Sequence, residues 1–270
     1  MIMSCCRRAF LLIAFICSAE LCCSQNIPYI QLRQIESKIR RLREHCDEEK
    51  TILIDGPIEP KKWYDKNKRI HPSEYRIAFV LKEAYGADNQ GVLRLDSIQK
   101  EFSSLLCMDA GEGRPTYGPM VTIANMLVMN QEYGQVDKNS TMAYSIFKES
   151  CAIIEVKKEY GTSKSSNSNI RRHARDNRSL IEEQIRVYNP NVVIICGNNL
   201  YEGIFIEGSK VFGVITNGIG KLRVNSKFNY YYNNHCIYIN TYHPSARVNK
   251  TDYCTEIVEV VRDWMKKYKK

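Results

Sequence analysis

The length and composition of the chain are those of an ordinary globular protein. Its 270 residues can bury one good core, and the 44% hydrophobic and 26% charged residues exclude disordered, collagen-like and coiled-coil chains. The 39 lysines and arginines exceed the 30 acidic residues, giving a net charge of +9. A basic excess of this size suits an anionic partner such as a nucleic acid, although it also serves solubility.

The first thirty residues have the layout of a secretory signal. Arg7 and Arg8 precede an apolar run from Ala9 to Ala19, which is too short to span a bilayer. Residues 1–30 are therefore either a true signal peptide of a secreted or periplasmic protein, or an upstream extension from a misassigned start. We favour the cytoplasm, because the cysteines beyond residue 100 stand singly and form no CxxC pair. This spacing also argues against a zinc site and an iron–sulfur cluster.

Residues 31–75 are predicted to form a helical arm and a linker. The segment from Gln31 to His45 predicts a basic helix, and its apolar residues share one packing stripe: Leu32, Ile35, Ile39 and Leu42. A turn is predicted at Asp55-Gly56-Pro57, and a lysine-rich linker from Lys61 to Arg69. The main domain is expected to span residues 76–270.

Four apolar segments of the main domain predict strands that are buried on both faces. They are Ile77 to Leu81, Ser150 to Lys158, Asn191 to Cys196, and HCIYINTY from His235. Helices are predicted from about Pro119, from Asn169 as N-cap through Arg186, and from about Asp252 to Lys270. Strands alternating with helices predict an α/β fold, a three-layer α/β/α sandwich with a central, mainly parallel, four-stranded sheet.

The loops that follow these strands form the candidate site, because parallel sheets bind ligands at the carboxyl ends of their strands. The three loops are Lys82 to Gly86, Glu155 to Asn169, and His243 to Arg247. The third loop begins with His-Pro-Ser, a tripeptide that also occurs at His71. Because the copy at His71 precedes a strand, we expect it at the opposite edge and interpret it as structural.

With these loops in order, the chain resembles the uracil-DNA glycosylase superfamily, and most closely its uncharacterised bacterial uracil-DNA glycosylase-like branch. The resemblance runs from about Arg76 to the last helix. KEAYG at residues 82–86 is similar to the GEAPG motif of the branch that carries an iron–sulfur cluster, and HPSAR at 243–247 is similar to a late HPS motif. Lys82 and Tyr85 depart from that motif, and the cluster cysteines are absent. The resemblance implies the fold, a DNA partner, and no metal or organic cofactor.

The resemblance assigns Glu83 and His243 as catalytic residues. Cleavage of an N-glycosidic bond builds positive charge on the sugar and negative charge on the departing base, so the site needs a carboxylate or amide near C1′ and a donor near the base oxygen. Glu83 would orient a water molecule and stabilise the sugar cation, and His243 would donate to the base oxygen. The alternatives are a salt-bridged or solvated glutamate and a structural histidine.

Glu155 stands where the family often has an asparagine that recognises the base. A carboxylate only accepts hydrogen bonds, so Glu155 should disfavour uracil and favour a base with adjacent donors. The alternative is an ion pair with Lys157 or Lys82.

Tyr85 and Tyr117 would stack on an extruded base or pack at the rim. The residues suited to DNA phosphates, or otherwise to a solvated basic helix start, are Ser165, Ser166, Arg171, Arg172, Arg175, Ser245 and Arg247.

We therefore expect a monomeric DNA N-glycosylase that flips a modified or non-uracil base and hydrolyses its glycosidic bond, with no metal, iron–sulfur cluster or transmembrane segment. Two alternatives stay open. One is a non-catalytic nucleic-acid or nucleotide-binding module on the same fold, which Glu83→Gln would test through activity against binding. The other is a secreted hydrolase of other substrates, which a mature N-terminus near Glu20 would favour.

Overall fold

A computed structural model describes residues 29–42, 54–71, 73–85, 115–161, 166–197, 218–223 and 229–268. Within these ranges the protein has an α/β fold, with a mixed seven-stranded sheet and seven α-helices. None of the helices in these ranges is both long and apolar enough to span a bilayer. The predicted leader up to residue 28 lies outside the described residues.

The elements are numbered in chain order. The helices are α1 over 29–41, α2 (Pro60–Tyr64), α3 (Tyr117–Val128), α4 (Thr141–Ser150), α5 (Asn167–Asp176), α6 (Arg178–Tyr188) and α7 (Lys250–Tyr268). The strands are β1 (Gly56–Pro57), β2 (Ile77–Tyr85), β3 (Cys151–Gly161), β4 (Val192–Ile195), β5 (Gly218–Lys221), β6 (Asn229–Tyr232) and β7 (Ile237–Asn240). Short 3₁₀ turns span Lys66–Lys68 and Tyr133–Gln135.

The four predicted strands form the parallel centre of the sheet, in the order β3-β2-β4-β7. The predicted number of four strands is wrong, because β1 pairs antiparallel with β3, and β6 and β5 continue the sheet antiparallel beyond β7. These three strands lack the aliphatic runs of strands buried on both faces. β1 has only two residues, and the sequences of β5 and β6 are GIGK and NYYY.

Alternate residues of the central strands contribute to two cores, one on each face of the sheet. Ile77 and Phe79 of β2 pack in the core that includes residues of α3, α4 and α7. Ala78 and Val80 pack in the core that includes residues of α1, α2, α5 and α6. Helices thus flank both faces, which explains why the central strands are apolar throughout.

The N-terminal arm packs on the second of these cores. Leu32, Ile35 and Ile39 of α1 are buried, as their spacing predicts. The predicted turn at residues 55–57 instead contains β1, and the predicted linker contains α2. Gly56 has φ of +144°, and a Cβ atom there would lie 2.7 Å from the Tyr188 hydroxyl oxygen. β1 can therefore approach α6 this closely only with glycine at residue 56.

The predicted helix from Asn169 to Arg186 consists of two helices. It begins at Asn167, so Asn169 lies inside the first turn rather than at the N-cap, and it is interrupted at Asn177 between α5 and α6. The Asn177 side-chain amide donates to the Val156 carbonyl at 2.9 Å, a tertiary contact that the helical pattern does not reveal. The helix α4 was not predicted; Ser140 caps it by accepting from the Ala143 amide at 3.1 Å.

Candidate functional site

The first predicted loop is strand as far as Tyr85, and the second begins as strand, as far as Gly161. β2 continues through Tyr85 and β3 through Gly161, with Glu83 opposite Lys157 and Tyr85 opposite Gly161. The two strands satisfy each other's backbone groups, which an isolated loop would leave to water. The last β2 pairing with β4 is at Val80, so the polar residues that follow lie on a two-stranded extension of the sheet.

The strand register places the residues that precede Glu83 and His243 side by side. Val80 pairs with Ile195, and Ile195 pairs with Asn240. Glu83 lies three residues beyond Val80 within β2, and His243 lies three residues beyond Asn240, past the end of β7. Both residues therefore follow the last aligned pairs, at the edge where the parallel strands have their carboxyl ends.

The Glu83 carboxylate forms an ion pair with Lys157 on the neighbouring strand. Glu83 Oε2 lies 2.9 Å from Lys157 Nζ, and the two side chains are only 7% and 11% exposed. Such shielding from water strengthens the attraction relative to an exposed surface pair. The sequence leaves Lys157 or Lys82 as an ion-pair partner of Glu155, whereas the structure pairs Lys157 with Glu83.

Glu155 lies deeper in the sheet than Glu83. It pairs with Leu81, two residues before Glu83, and is 3% exposed. Its backbone N–H donates to Asp55 Oδ2 at 2.5 Å. Burial raises the pKa of the Cys196 thiol at the end of β4, and the negative charge of Glu155 raises it further. The Glu155 carboxylate therefore acts electrostatically on the end of β4.

The His243 imidazole is held by its own turn. Nδ1 lies 2.7 Å from Ser245 Oγ and accepts the Ser245 backbone N–H at 3.3 Å. Because a backbone N–H can only donate, Nδ1 is unprotonated and the neutral ring carries its proton on Nε2. Burial, and then the positive charges of Lys82 and Lys250, lower the pKa of His243 to about 4. At neutral pH the residue is thus an uncharged donor through Nε2.

The His-Pro-Ser turn is anchored to α7. Lys250 Nζ donates to the Pro244 carbonyl at 2.7 Å and also to the Ala246 carbonyl. The Tyr253 hydroxyl donates to the Tyr242 carbonyl at 3.1 Å. These contacts fix the backbone on both sides of His243, and the sequence analysis had assigned no role to Lys250 or Tyr253.

The predicted base-stacking and phosphate-binding residues belong to several elements of the fold. Tyr117 begins α3 and packs partly buried against the core. Tyr85 is the last residue of β2, but its side chain, like Ser165, lies outside what the structure describes. The exposed members of the predicted phosphate-binding set are Ser166, Arg171, Arg172, Arg175, Ser245 and Arg247.

Two of these exposed residues contact polar neighbours near the start of α5, the helix that follows β3. Ser166 Oγ lies 2.8 Å from Ser168 Oγ, and Arg172 donates to Asn169 Oδ1 at 3.0 Å. His173 on the same helix was missed by the sequence analysis. Burial lowers the pKa of His173, and the neighbouring charges that act on it include Glu159 and Lys157. The carboxyl end of β3 is therefore surrounded by titratable side chains.

Among the described residues, no group of three or more His, Cys, Asp or Glu side chains could hold a metal ion. The cysteines Cys151, Cys196, Cys236 and Cys254 are buried free thiols.

Comparison of the sequence with protein-family models and with curated proteins gave no significant match.

Proposed function

We propose that the protein is a DNA N-glycosylase that extrudes one nucleotide from a duplex and hydrolyses its N-glycosidic bond. The proposal takes the fold as a three-layer α/β/α sandwich of the uracil-DNA glycosylase superfamily. The observation that carries it is that Glu83 and His243 lie at the same edge of the sheet, near the carboxyl ends of β2 and β7 on either side of β4. A carboxylate and a neutral N–H donor are the two groups that this reaction needs at opposite ends of the scissile bond.

In the proposed reaction, Glu83 orients a water molecule and takes its proton as the water oxygen bonds to C1′. The bond between C1′ and the base nitrogen breaks, and its electron pair leaves with the base. The carboxylate stabilises the positive charge that develops on the sugar, as in other glycoside hydrolyses. The Nε2–H group of His243 donates to the base oxygen that gains negative charge.

The charge of the protein supports DNA as the partner. The chain has a net charge of +9, and Arg171, Arg172 and Arg175 are exposed on α5, the helix that follows β3. Guanidinium groups and the Ser166 and Ser245 hydroxyls are typical phosphate ligands. They would orient the duplex without recognising its sequence.

The proposal is tested by incubating the full-length protein with duplexes that each contain one modified base. Alkali cleaves any abasic site that forms, so excision appears as a shortened strand. We expect product from at least one duplex, and Glu83→Gln should abolish the product while the variant still binds the same DNA. If the wild type binds DNA without forming product from any duplex, the non-catalytic binding module is the better description. Equal activity of the wild type and Glu83→Gln would remove Glu83 from the mechanism.

A further inference from the structure

Lys157 lies beside the proposed catalytic carboxylate and not in the structural core. It is opposite Glu83 in the β2–β3 register, at the sheet edge where β7 leads to His243 on the other side of β4. Its Nζ atom is 2.9 Å from Glu83 Oε2, and 11% of the side chain is exposed. An ion pair on the two-stranded extension of the sheet is close enough to act on any ligand that contacts Glu83.

The neighbouring residue Lys158 shows what a purely structural lysine of this strand looks like. Its side chain is 2% exposed, and its Nζ atom contacts Asp55 Oδ2 at 2.6 Å and Gln184 Oε1 at 2.7 Å. Successive residues of a strand point to opposite faces, so the side chains of Lys157 and Lys158 lie on opposite faces of the sheet. Lys158 joins β3 to the segment before β1 and to α6, whereas Lys157 contacts the proposed catalytic residue.

From this contact we infer that Lys157 is a positioning residue, which holds the Glu83 carboxylate in one orientation for the attack of water; the inference rests on the proposed function. A carboxylate that is only 7% exposed is poorly solvated, so without its counter-ion it would turn toward water. This change of orientation removes the base that orients the water molecule. Loss of orientation by about 1 Å is enough to slow a reaction by about 10²-fold.

Whether removal of the Lys157 ammonium slows or accelerates excision distinguishes a positioning role from a purely electrostatic one. The Lys157 ammonium repels a positively charged sugar, so if charge alone mattered, removing it would accelerate excision. If Lys157 positions Glu83, removing it slows excision even though a repulsive charge has gone. Lys157→Met, which keeps the length of the side chain without its charge, should therefore be slower than the wild type.

The test compares single-turnover excision by Lys157→Met and Lys157→Arg with a matched control. We expect Lys157→Met to lower the rate by about 10²-fold with little change in DNA affinity. Lys157→Arg keeps the ion pair and should retain most of the rate. The control is Lys148→Met, which removes a partly buried pair with Glu59 of 3.3 Å next to the start of β3. A rate for Lys157→Met equal to or above that of the wild type overturns the inference.

A binding measurement decides the inference even if the wild type excises no base, which would refute the proposed function. The probes are duplexes with a cationic pyrrolidine or an uncharged tetrahydrofuran at one abasic position. A positioned Glu83 carboxylate makes the wild type prefer the cationic probe, and Lys157→Met should lose this preference while Lys157→Arg keeps it. No preference in the wild type, or the same preference in Lys157→Met, overturns the inference.

Discussion

The Ser245 backbone N–H donates to His243 Nδ1 at 3.3 Å, and this contact sets the tautomer of the imidazole. With Nδ1 acting as acceptor, the proton of the neutral ring is on Nε2. Such a donor can stabilise negative charge on a leaving base without itself having to change protonation state. The assignment of His243 as the donor therefore has a measurable consequence.

His243→Ala should lower the single-turnover rate of excision by about 10²-fold to 10³-fold, the loss typical of removing one donor from a developing anion. His243→Gln keeps an N–H donor and should lose less. The matched control is His71→Ala, which alters the other His-Pro-Ser sequence ahead of β2 and should leave the rate unchanged. Equal rates for His243→Ala and the wild type would remove His243 from the mechanism.

Lys82→Met should raise the pKa of His243 from its value of about 4, because Lys82 is the largest charged contribution to the lowering after burial. The folded pKa lies below the ordinary value of 6.5, so between about pH 6.5 and pH 4 the unfolded chain binds more protons than the folded one. His243 therefore makes the folded protein less stable as the pH falls from about 6.5 to about 4. Because Lys82→Met should raise the pKa of the folded state, it should narrow this pH range. NMR titration of the imidazole C–H signals measures the pKa directly. An unchanged pKa would show that Lys82 does not act on His243.

The parallel centre of the sheet was predictable because its strands are buried on both faces. Ile77 to Leu81 is continuously apolar and buried. Such a run can be recognised as a buried strand without knowing which strands lie beside it. The sequences of β5 and β6 carry no such signal. Gly218 and Gly220 leave space that the Tyr232 and Tyr230 rings occupy across the strand, a complementarity visible only once the two strands are paired. The antiparallel half of the sheet was missed for this reason.

The sheet edge at which Glu83, Glu155 and His243 lie could be predicted from the sequence, but the contacts of their side chains could not. Loops after parallel strands meet at one edge of a sheet, which is enough to bring Glu83, Glu155 and His243 to the same region. Which lysine pairs with which glutamate depends on the register between β2 and β3. A shift of one strand by one residue would move each of its side chains to the opposite face of the sheet. The register puts Lys157 opposite Glu83 and Glu155 opposite Leu81. The sequence alone had offered Lys157 as a partner of Glu155.

Glu155→Asn should raise the activity on uracil-containing DNA relative to the wild type. An ionised Glu155 offers only acceptors, and facing O4 of uracil with a buried acceptor costs on the order of 1 to 3 kcal/mol. Asparagine offers one donor and one acceptor, which matches the edge of uracil. The wild type should instead prefer a base with adjacent N–H donors, such as a cytosine or guanine derivative. Efficient excision of uracil by the wild type, with no gain in Glu155→Asn, would contradict a role of Glu155 in base recognition.

Replacing Arg171, Arg172 and Arg175 together by glutamine should weaken binding to DNA of any sequence. Each phosphate contact that is lost should flatten the dependence of log affinity on log salt concentration by about 0.9. All three side chains are exposed on α5, so the folded structure should tolerate the change. Fluorescence anisotropy with a labelled duplex over a range of salt concentrations measures the slope. An unchanged slope would assign these arginines to a solvated surface.

Lys158→Met should destabilise the fold strongly, although Lys158 is adjacent to a lysine that we assign to the site. Lys158 Nζ lies 2.6 Å from Asp55 Oδ2, and both side chains are at most 2% exposed. Gln184 links the two by accepting from Lys158 at 2.7 Å and donating to Asp55 Oδ1 at 2.7 Å. Removing the ammonium leaves the Asp55 carboxylate buried without its cation, which costs about 3 to 5 kcal/mol of unfolding free energy.

Urea unfolding of two further variants distinguishes this buried pair from a surface one. Asp55→Asn combined with Lys158→Met removes both charges and should recover part of the loss, so the two single effects should not add. Lys266→Met removes an exposed pair with Asp263, whose side chains are 77% and 78% exposed, and should change stability by only about 0 to 1 kcal/mol. A loss in Lys158→Met as small as that in Lys266→Met would mean that the Asp55 carboxylate does not need its cation. In that case the burial of this pair would not explain how the segment before β1 is held against β3.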